Sequence, residues 1–244
     1  MSTTIRIDKL LAGMGYGSRR EIEHLADTDR VLLDGQPIFD CGARVPLDAT
    51  LCDRLTVDGE AIDPLPGMVV LLHKPLGVTC SHKESGPLIY DLLPARWRRR
   101  DPVLSSVGRL DKETSGLLLL TDDGALLHKI ISPKQHVAKC YLATLARPLR
   151  GDEATIFASG TLMLEGEKTP LQPAEMQALS DTTARLTLHE GRYHQVRRMF
   201  AAVGNHVAAL HRESVGGLTL PDDLKAGDHR LLDAADIARI FTPR

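Results

Sequence analysis

The segment of this chain that is most informative about chemistry is the polar run Gly-Arg-Leu-Asp-Lys-Glu-Thr-Ser-Gly, which begins at Gly108 and contains Asp111. The segment leads directly into the apolar run Leu117–Leu120, which predicts a carboxylate at the rim of a rigid sheet. A carboxylate in such a place can act as a nucleophile or a base. An aspartate before Thr-Ser-Gly is also a common loop cap that binds backbone donors, so both interpretations stay open.

Sites for metals, redox chemistry or nucleotide cofactors are not indicated by the residue spacing. The four cysteines are widely separated, without a Cys-x-x-Cys pair, which predicts reduced and inert thiols. His206 and His211 form no His-Glu-x-x-His pattern, and no carboxylate or thiol is placed to complete a site. We therefore expect no metal and no cofactor.

The composition is typical of a globular chain, with 244 residues, 43% hydrophobic and 25% charged. No apolar run approaches the roughly 18 residues of a membrane span, and Met1–Arg6 lacks the apolar middle of a signal peptide. These features predict a cytoplasmic protein without membrane association, and a monomer is the default expectation. The net charge of −2 gives no global indication of a nucleic-acid partner.

Two short helices and small strands are predicted for residues 1–60. Apolar residues at helical spacing predict a helix over 7–14, and Ser18-Arg-Arg-Glu21 is a capping box that begins a second helix. Strands are predicted over 30–33 and 55–59. Turn-forming residues then indicate a linker over 61–68.

An α+β domain with a mixed, largely antiparallel sheet is predicted for residues 69–244. Apolar runs predict its strands, and helical spacing predicts irregularly interleaved helices. The predicted strands are 68–73, 117–120, 141–145, 184–188 and 207–210, and the predicted helices include 196–203 and 233–240.

Four segments with distinctive residues follow one another along the chain: His73–Gly77 (Lys-Pro-x-Gly), Gly108–Leu117, Lys139–Tyr141 (Lys-x-Tyr) and Glu190–Met199. In this order they resemble the motifs of one family of RNA-modifying enzymes, the RsuA-type pseudouridine synthases. The chain resembles that family from Val69 to about Leu232, and the two-helix module resembles the S4-like (α-L) RNA-binding domain. The resemblance therefore implies an S4-like module followed by a pseudouridine synthase domain.

The family reaction isomerises a uridine within RNA and uses no cofactor. By resemblance Asp111 is the essential carboxylate, as nucleophile or base, and Arg197 pairs with it and keeps it ionised. Tyr141 is then expected to stack on the target base. From the residues alone, Arg197 is also compatible with a phosphate contact or a solvated helix charge, and Tyr141 with a core position.

Further residues are expected to contact RNA, most of them in the same motifs. Arg109 is expected near the flipped nucleotide or in a salt bridge within the loop, and Lys74 and Lys139 at phosphates or packed against the sheet. Residues 1–60 are net acidic, with 7 Lys and Arg against 11 Asp and Glu, but Arg19 and Arg20 could form a positive face. The remaining predicted RNA contacts are Arg192, His194, Gln195 and Arg198.

The sequence is compatible with three functions. The first is isomerisation of a specific uridine in small-subunit (16S) ribosomal RNA, with that RNA or an assembling small subunit as partner. Modification of large-subunit (23S) RNA and a non-catalytic role in ribosome assembly are the alternatives. A cysteine-dependent RNA methyltransferase is disfavoured, because no activated thiol or methyl-donor pocket is indicated.

Overall fold

A computed structural model describes residues 4–82 and 84–243. Residues 1–3 lie outside the described residues. They are part of the segment Met1–Arg6 on which the prediction of no signal peptide depends. The chain forms two compact units, drawn from Met1–Met68, Leu93–Ser105 and Thr121–Asp123 in the first case and Val69–Leu92, Ser106–Leu120 and Gly124–Arg244 in the second. No helix in the described ranges is both long and apolar enough to cross a membrane.

The first unit contains short helices and strands around one apolar core. The capping box is present: Glu21 N donates to Ser18 Oγ at 3.3 Å, and Ser18 N donates to Glu21 Oε2 at 2.6 Å. The buried core includes Leu11, Ile22 and Leu55. The elements are β1 (Thr4–Arg6), α1 (Ile7–Gly13), α2 (Arg19–Asp27), β2 (Val31–Leu33), β3 (Gln36–Pro37), β4 (Arg44–Pro46), α3 (Leu51–Arg54), β5 (Leu55–Val57) and β6 (Glu60–Ala61).

A buried ion pair also lies within the first unit. Arg100 Nη2 is 2.9 Å from Asp122 Oδ2, and each side chain is 1% exposed. Asp122 Oδ1 accepts from Gly67 N, and Arg100 Nη2 donates to Pro64 O. The segment interpreted as a linker is thus held by buried polar contacts, which its turn-rich composition did not indicate.

The second unit is built on one mixed sheet. The elements that follow β6 along the chain are β7 (Val69–Lys74), β8 (Ser105–Ser106), β9 (Thr114–Thr121), α4 (Gly124–Ile131), β10 (Lys139–Leu145), α5 (Glu153–Ala158), β11 (Glu175–Ser180), β12 (Thr183–Leu188), α6 (Gln195–Ala202), β13 (Val207–Val215), β14 (Leu218–Thr219), β15 (His229–Leu231) and α7 (Ala234–Arg239).

The sheet confirms the predicted α+β class. Its strand order is β11-β12-β10-β13-β9-β7-β15, with β14 paired to β13 and β8 to β9. Strands β9 and β13 are parallel, whereas β10 is antiparallel to both β12 and β13. Two apolar clusters form the core, one around Phe157 and Phe200 and the other around Leu117 and Leu119.

Strand β13 is longer than the predicted strand over 207–210. It continues through His211-Arg212-Glu213-Ser214-Val215. Arg212 and Ser214 are buried, so polar side chains occupy inward positions and hide the alternation of apolar residues that predicts a strand. Arg212, one of these buried polar residues, also lines the candidate site.

Candidate active site

A cavity of about 900 Å³ lies in the second unit, bordered by the segment before β9, by β10, by β13 and by the loop before α6. This volume is within the range of small-molecule and cofactor sites. Its wall contains most of the residues predicted by sequence: Arg109, Asp111, Lys139, Tyr141, Arg192, His194 and Gln195.

Asp111 lies at the wall of this cavity, between buried Leu110 and β9, and its side chain is 30% exposed. Asp111 Oδ1 is 3.3 Å from Nε2 of His194. Within the described part of the chain, the carboxylate accepts no backbone hydrogen bond, so the contacts do not fit the loop-cap interpretation. The carboxylate is thus accessible to a ligand and has one polar neighbour.

Lys74 holds the segment that carries Asp111. The lysine is fully buried, and its three N–H groups share four backbone oxygens, those of Thr114 at 2.8 Å, Asp111 at 3.0 Å, Pro75 at 3.0 Å and Lys112 at 3.4 Å from Nζ. Burial lowers its pKa below the ordinary lysine value. The predicted phosphate contact for Lys74 is therefore wrong, because its ammonium is enclosed by carbonyl oxygens.

Gly116 lets β9 approach β13 closely behind Asp111. Its φ is +112°, and a Cβ there would lie 2.3 Å from the backbone oxygen of Arg212 and 2.6 Å from its nitrogen. Gly116 and Arg212 are paired in the parallel ladder. The glycine of the Thr-Ser-Gly motif is therefore required by backbone packing.

Tyr141 and Arg212 face each other on neighbouring antiparallel strands. Arg212 Nη1 donates to the Tyr141 hydroxyl at 3.4 Å, and both residues line the cavity. Lys139, two positions before Tyr141, donates to Val137 O at 3.0 Å. Burial, reinforced by the charge of Arg212, lowers the pKa of Lys139 to about 8.

Arg197 does not form the predicted ion pair with Asp111. It donates to Val207 O at 3.0 Å and to Glu113 O at 2.6 Å. The first turn of α6 directs the guanidinium to these carbonyl oxygens. The predicted pairing is therefore wrong in this structure, although Arg197 still contacts the segment that carries Asp111.

The loop before α6 is braced by its own charged residues. Gln195 Nε2 donates to Glu190 Oε1 at 2.9 Å, and Gln195 Oε1 accepts from Arg192 N at 2.8 Å. Arg192 and Arg198 both form ion pairs with Glu167, at 3.1 Å and 2.7 Å. These contacts shape the loop, and the RNA contacts expected of Arg192, Gln195 and Arg198 stay a prediction.

This braced loop presents an aromatic pair. His194 has a left-handed backbone with φ 47° and ψ 34°, a conformation that is uncommon outside glycine. Its ring stacks on Tyr193 with centroids 3.8 Å apart, and Tyr193 is 75% exposed. Tyr193 was not predicted as a site residue, although an aromatic residue in an otherwise polar motif was a usable signal.

The remaining predicted RNA contacts are at the protein surface. Arg109 is 68% exposed and lies 3.4 Å from Glu84, 25 positions earlier in the chain, so this ion pair is not the salt bridge within the loop that was considered from sequence. Exposed ion pairs contribute little stability, so this contact leaves Arg109 available to a ligand. Arg19 and Arg20 are exposed at the beginning of α2, and their RNA contacts stay a prediction.

The family model for RNA pseudouridylate synthase matches residues 68–202, a range that includes Asp111, Tyr141 and the braced loop. The chain belongs to the RNA pseudouridylate synthase family. Two full-length relatives are named ribosomal small subunit pseudouridine synthase A. The protein from Haemophilus influenzae is 43% identical, with 97% of this chain and 99% of the relative covered, and that from Escherichia coli K12 is 39% identical, with 97% and 100% covered.

A solved structure gives the same fold for this pseudouridylate synthase. A crystal structure described as a pseudouridylate synthase has a TM-score of 0.67 and 35% identity, and the match covers 97% of this chain and 99% of that chain. The predicted family and reaction type are confirmed. In such an enzyme, an accessible carboxylate that lines the same cavity as a tyrosine and a buried guanidinium can attack or deprotonate a nucleoside, while the other two groups hold its base.

Proposed function

We propose that this pseudouridylate synthase isomerises one uridine of small-subunit (16S) ribosomal RNA, with that RNA or an assembling small subunit as its partner in the cytoplasm. The observation that carries the reaction is Asp111, an accessible carboxylate at a cavity wall that also contains Tyr141. The names of the two full-length relatives support the small subunit as target.

In the proposed reaction the bond from ribose C1′ to uracil N1 breaks, the base turns, and C1′ bonds to C5. The C5 proton leaves and N1 gains a proton, so the change needs no oxidant and no external group. Asp111 acts as a nucleophile or removes a ribose proton. Tyr141 lies against the flipped base, whose flat face needs a partner once it has left the RNA stack.

Two residues act through the position of Asp111 in this proposal. Lys74 holds three carbonyl oxygens of the segment, those of residues 111, 112 and 114, and Arg197 holds Glu113 O. A catalytic carboxylate depends on its geometry, because a displacement of about 1 Å can lower a rate about 100-fold. We therefore assign Arg197 a positioning role in place of direct pairing.

The first unit, with the S4-like module of residues 1–60, supplies part of the RNA affinity in this proposal. The exposed guanidiniums of Arg19 and Arg20 carry positive charge that the acidic total conceals. Contacts with phosphates release counterions, so they make binding dependent on salt.

Tritium release from C5-labelled uridine tests the reaction, with unmodified 16S and 23S transcripts and assembling particles as substrates. Asp111→Asn removes one charge with little change in shape and is expected to abolish release while RNA binding persists. Glu113→Gln is the matched control, since its exposed side chain lies in the same segment and its backbone contact with Arg197 is preserved. We expect Glu113→Gln to release tritium at a rate within about twofold of the wild-type rate.

Each other outcome has a distinct meaning. Release by Asp111→Asn would contradict the catalytic assignment. Release from 23S RNA alone would overturn the proposed target but keep the reaction, and binding without release from any substrate would favour the assembly-factor role.

A further inference from the structure

Arg212 is a buried cation with an unused donor at the cavity. The residue is 3% exposed, its Nε donates to Leu117 O at 2.7 Å, and Nη1 donates to the Tyr141 hydroxyl at 3.4 Å. Nη2 is buried and has no hydrogen-bond partner within residues 4–82 and 84–243. An unsatisfied buried donor is unfavourable, so this atom indicates a missing acceptor.

The part of the chain that the structure describes supplies no carboxylate for this guanidinium. Within the described ranges, Arg212 takes part in no ion pair, and the neighbouring charged groups Lys74 and Lys139 are also cations. Asp111 Oδ1 lies against His194 instead. Because a buried charge is normally paired, the acceptor for Arg212 is expected to come from a ligand.

We propose that Arg212 is a further catalytic residue, whose Nη2 donates to a carbonyl oxygen of the target uracil and stabilises the negative charge that the base acquires during isomerisation. The inference rests on the proposed function. When C1′–N1 breaks, its electron pair moves into the uracil ring and is shared with the carbonyl oxygens. The pair returns when C5 bonds to C1′, C5 loses its proton and N1 is protonated.

The strand pairing suits Arg212 to this task. Arg212 is opposite Tyr141 on β10 and opposite Gly116 on β9, so its backbone is fixed by two neighbouring strands. The bond from Nε to Leu117 O leaves Nη2 oriented before any ligand binds. A donor fixed in advance stabilises developing charge without reorganisation. An RNA phosphate is a weaker candidate for the acceptor, because Arg212 is buried, whereas a phosphate can reach exposed cations such as Arg109.

The test compares single-turnover rates on RNA containing uridine, 2-thiouridine or 4-thiouridine at the target position. Sulfur accepts hydrogen bonds poorly, so the wild type is expected to lose about 100-fold in rate with one of the two analogues. Arg212→Gln is expected to be about 100-fold slower with uridine, and to lose the difference between uridine and that analogue. Its affinity for RNA should remain within about threefold.

Arg185→Gln is the matched control. Arg185 lies on β12, pairs with Glu213 at 2.7 Å and does not line this cavity, so its variant should keep the wild-type response to both thio analogues. Wild-type rates that are equal for all three substrates would overturn the proposal, even if Arg212→Gln failed to fold. An analogue effect that persists in Arg212→Gln would also overturn it. Absence of wild-type release with ordinary uridine would instead refute the proposed function.

Discussion

Replacement of Gly116 by alanine should damage the site through the backbone, without removing any functional group. The added Cβ would lie 2.3 Å from Arg212 O, whereas ordinary contacts begin at 3.4 Å, so β9 and β13 would have to separate by about 1 Å. The φ of +112° adds a second cost, because residues other than glycine rarely adopt it.

These two effects give an expected loss of about 3–5 kcal/mol in the free energy of unfolding. The backbone strain contributes about 1–3 kcal/mol. The parallel ladder joins Thr114, Ser115 and Gly116 to β13, and weakening about two of its hydrogen bonds costs about 1 kcal/mol each. Against a typical stability of about 5–15 kcal/mol, the variant should remain folded at low temperature.

Urea unfolding gives the stability change, and tritium release at low temperature gives the effect on catalysis. We expect the rate to fall about 100-fold in the folded variant, because Arg212 is one member of the displaced pair and Asp111 lies in the segment that leads into β9. Gly124→Ala is the matched control, since Gly124 begins α4 and an added Cβ has nothing within 4 Å. A Gly116→Ala stability within about 0.5 kcal/mol of that control would refute the packing argument.

Three further changes test other parts of the site. Tyr193→Ala should weaken RNA binding by about 1–3 kcal/mol through loss of base stacking, and unchanged affinity in a filter-binding assay would contradict this. Lys139 loses its charge as pH rises through about 8, so the affinity for RNA should fall there in the wild type but not in Lys139→Met. The pKa of Lys139 in the folded protein also lies below the ordinary value of 10.5. The free energy of unfolding should therefore rise from about pH 8 to 10.5 in the wild type and not in Lys139→Met. The double variant Arg19→Gln/Arg20→Gln should lower the slope of log affinity against log salt by up to about 2, and an unchanged slope would place these residues outside the RNA contact.

Much of the fold was predictable because local patterns dominate its regular elements. Apolar spacing gave α1, and the Ser18–Glu21 pattern gave the start of α2. The run before Lys74 gave β7, which is buried almost throughout. Strands β9 and β13 were predicted too short, because buried polar residues such as Thr114 and Arg212 extend them, and that burial depends on partners distant in sequence.

The candidate site was predictable where local sequence positions a residue, and not where contacts between distant segments do. Asp111 could be placed at the rim of a sheet because a polar loop precedes an apolar strand. The pairing of Arg212 with Gly116 could not be predicted, since it joins two residues that are 96 positions apart in the chain. Arg197 was misplaced because a motif gives the order of residues but not the direction of a long side chain. Lys74 was misjudged because a lysine is rarely fully buried, and its four acceptors come from three-dimensional packing.

The ammonium of Lys74 takes the place that a bound alkali cation could occupy in a loop of converging carbonyl oxygens. Its four acceptors include the backbone oxygens of Asp111 and Thr114. Since this cation is covalently attached to β7, it cannot dissociate or exchange with ions of the medium. The geometry of the Asp111 segment should therefore be insensitive to the potassium and magnesium concentrations that govern RNA folding. Any ionic dependence of turnover would then report on the RNA substrate and its binding, and not on assembly of the catalytic loop.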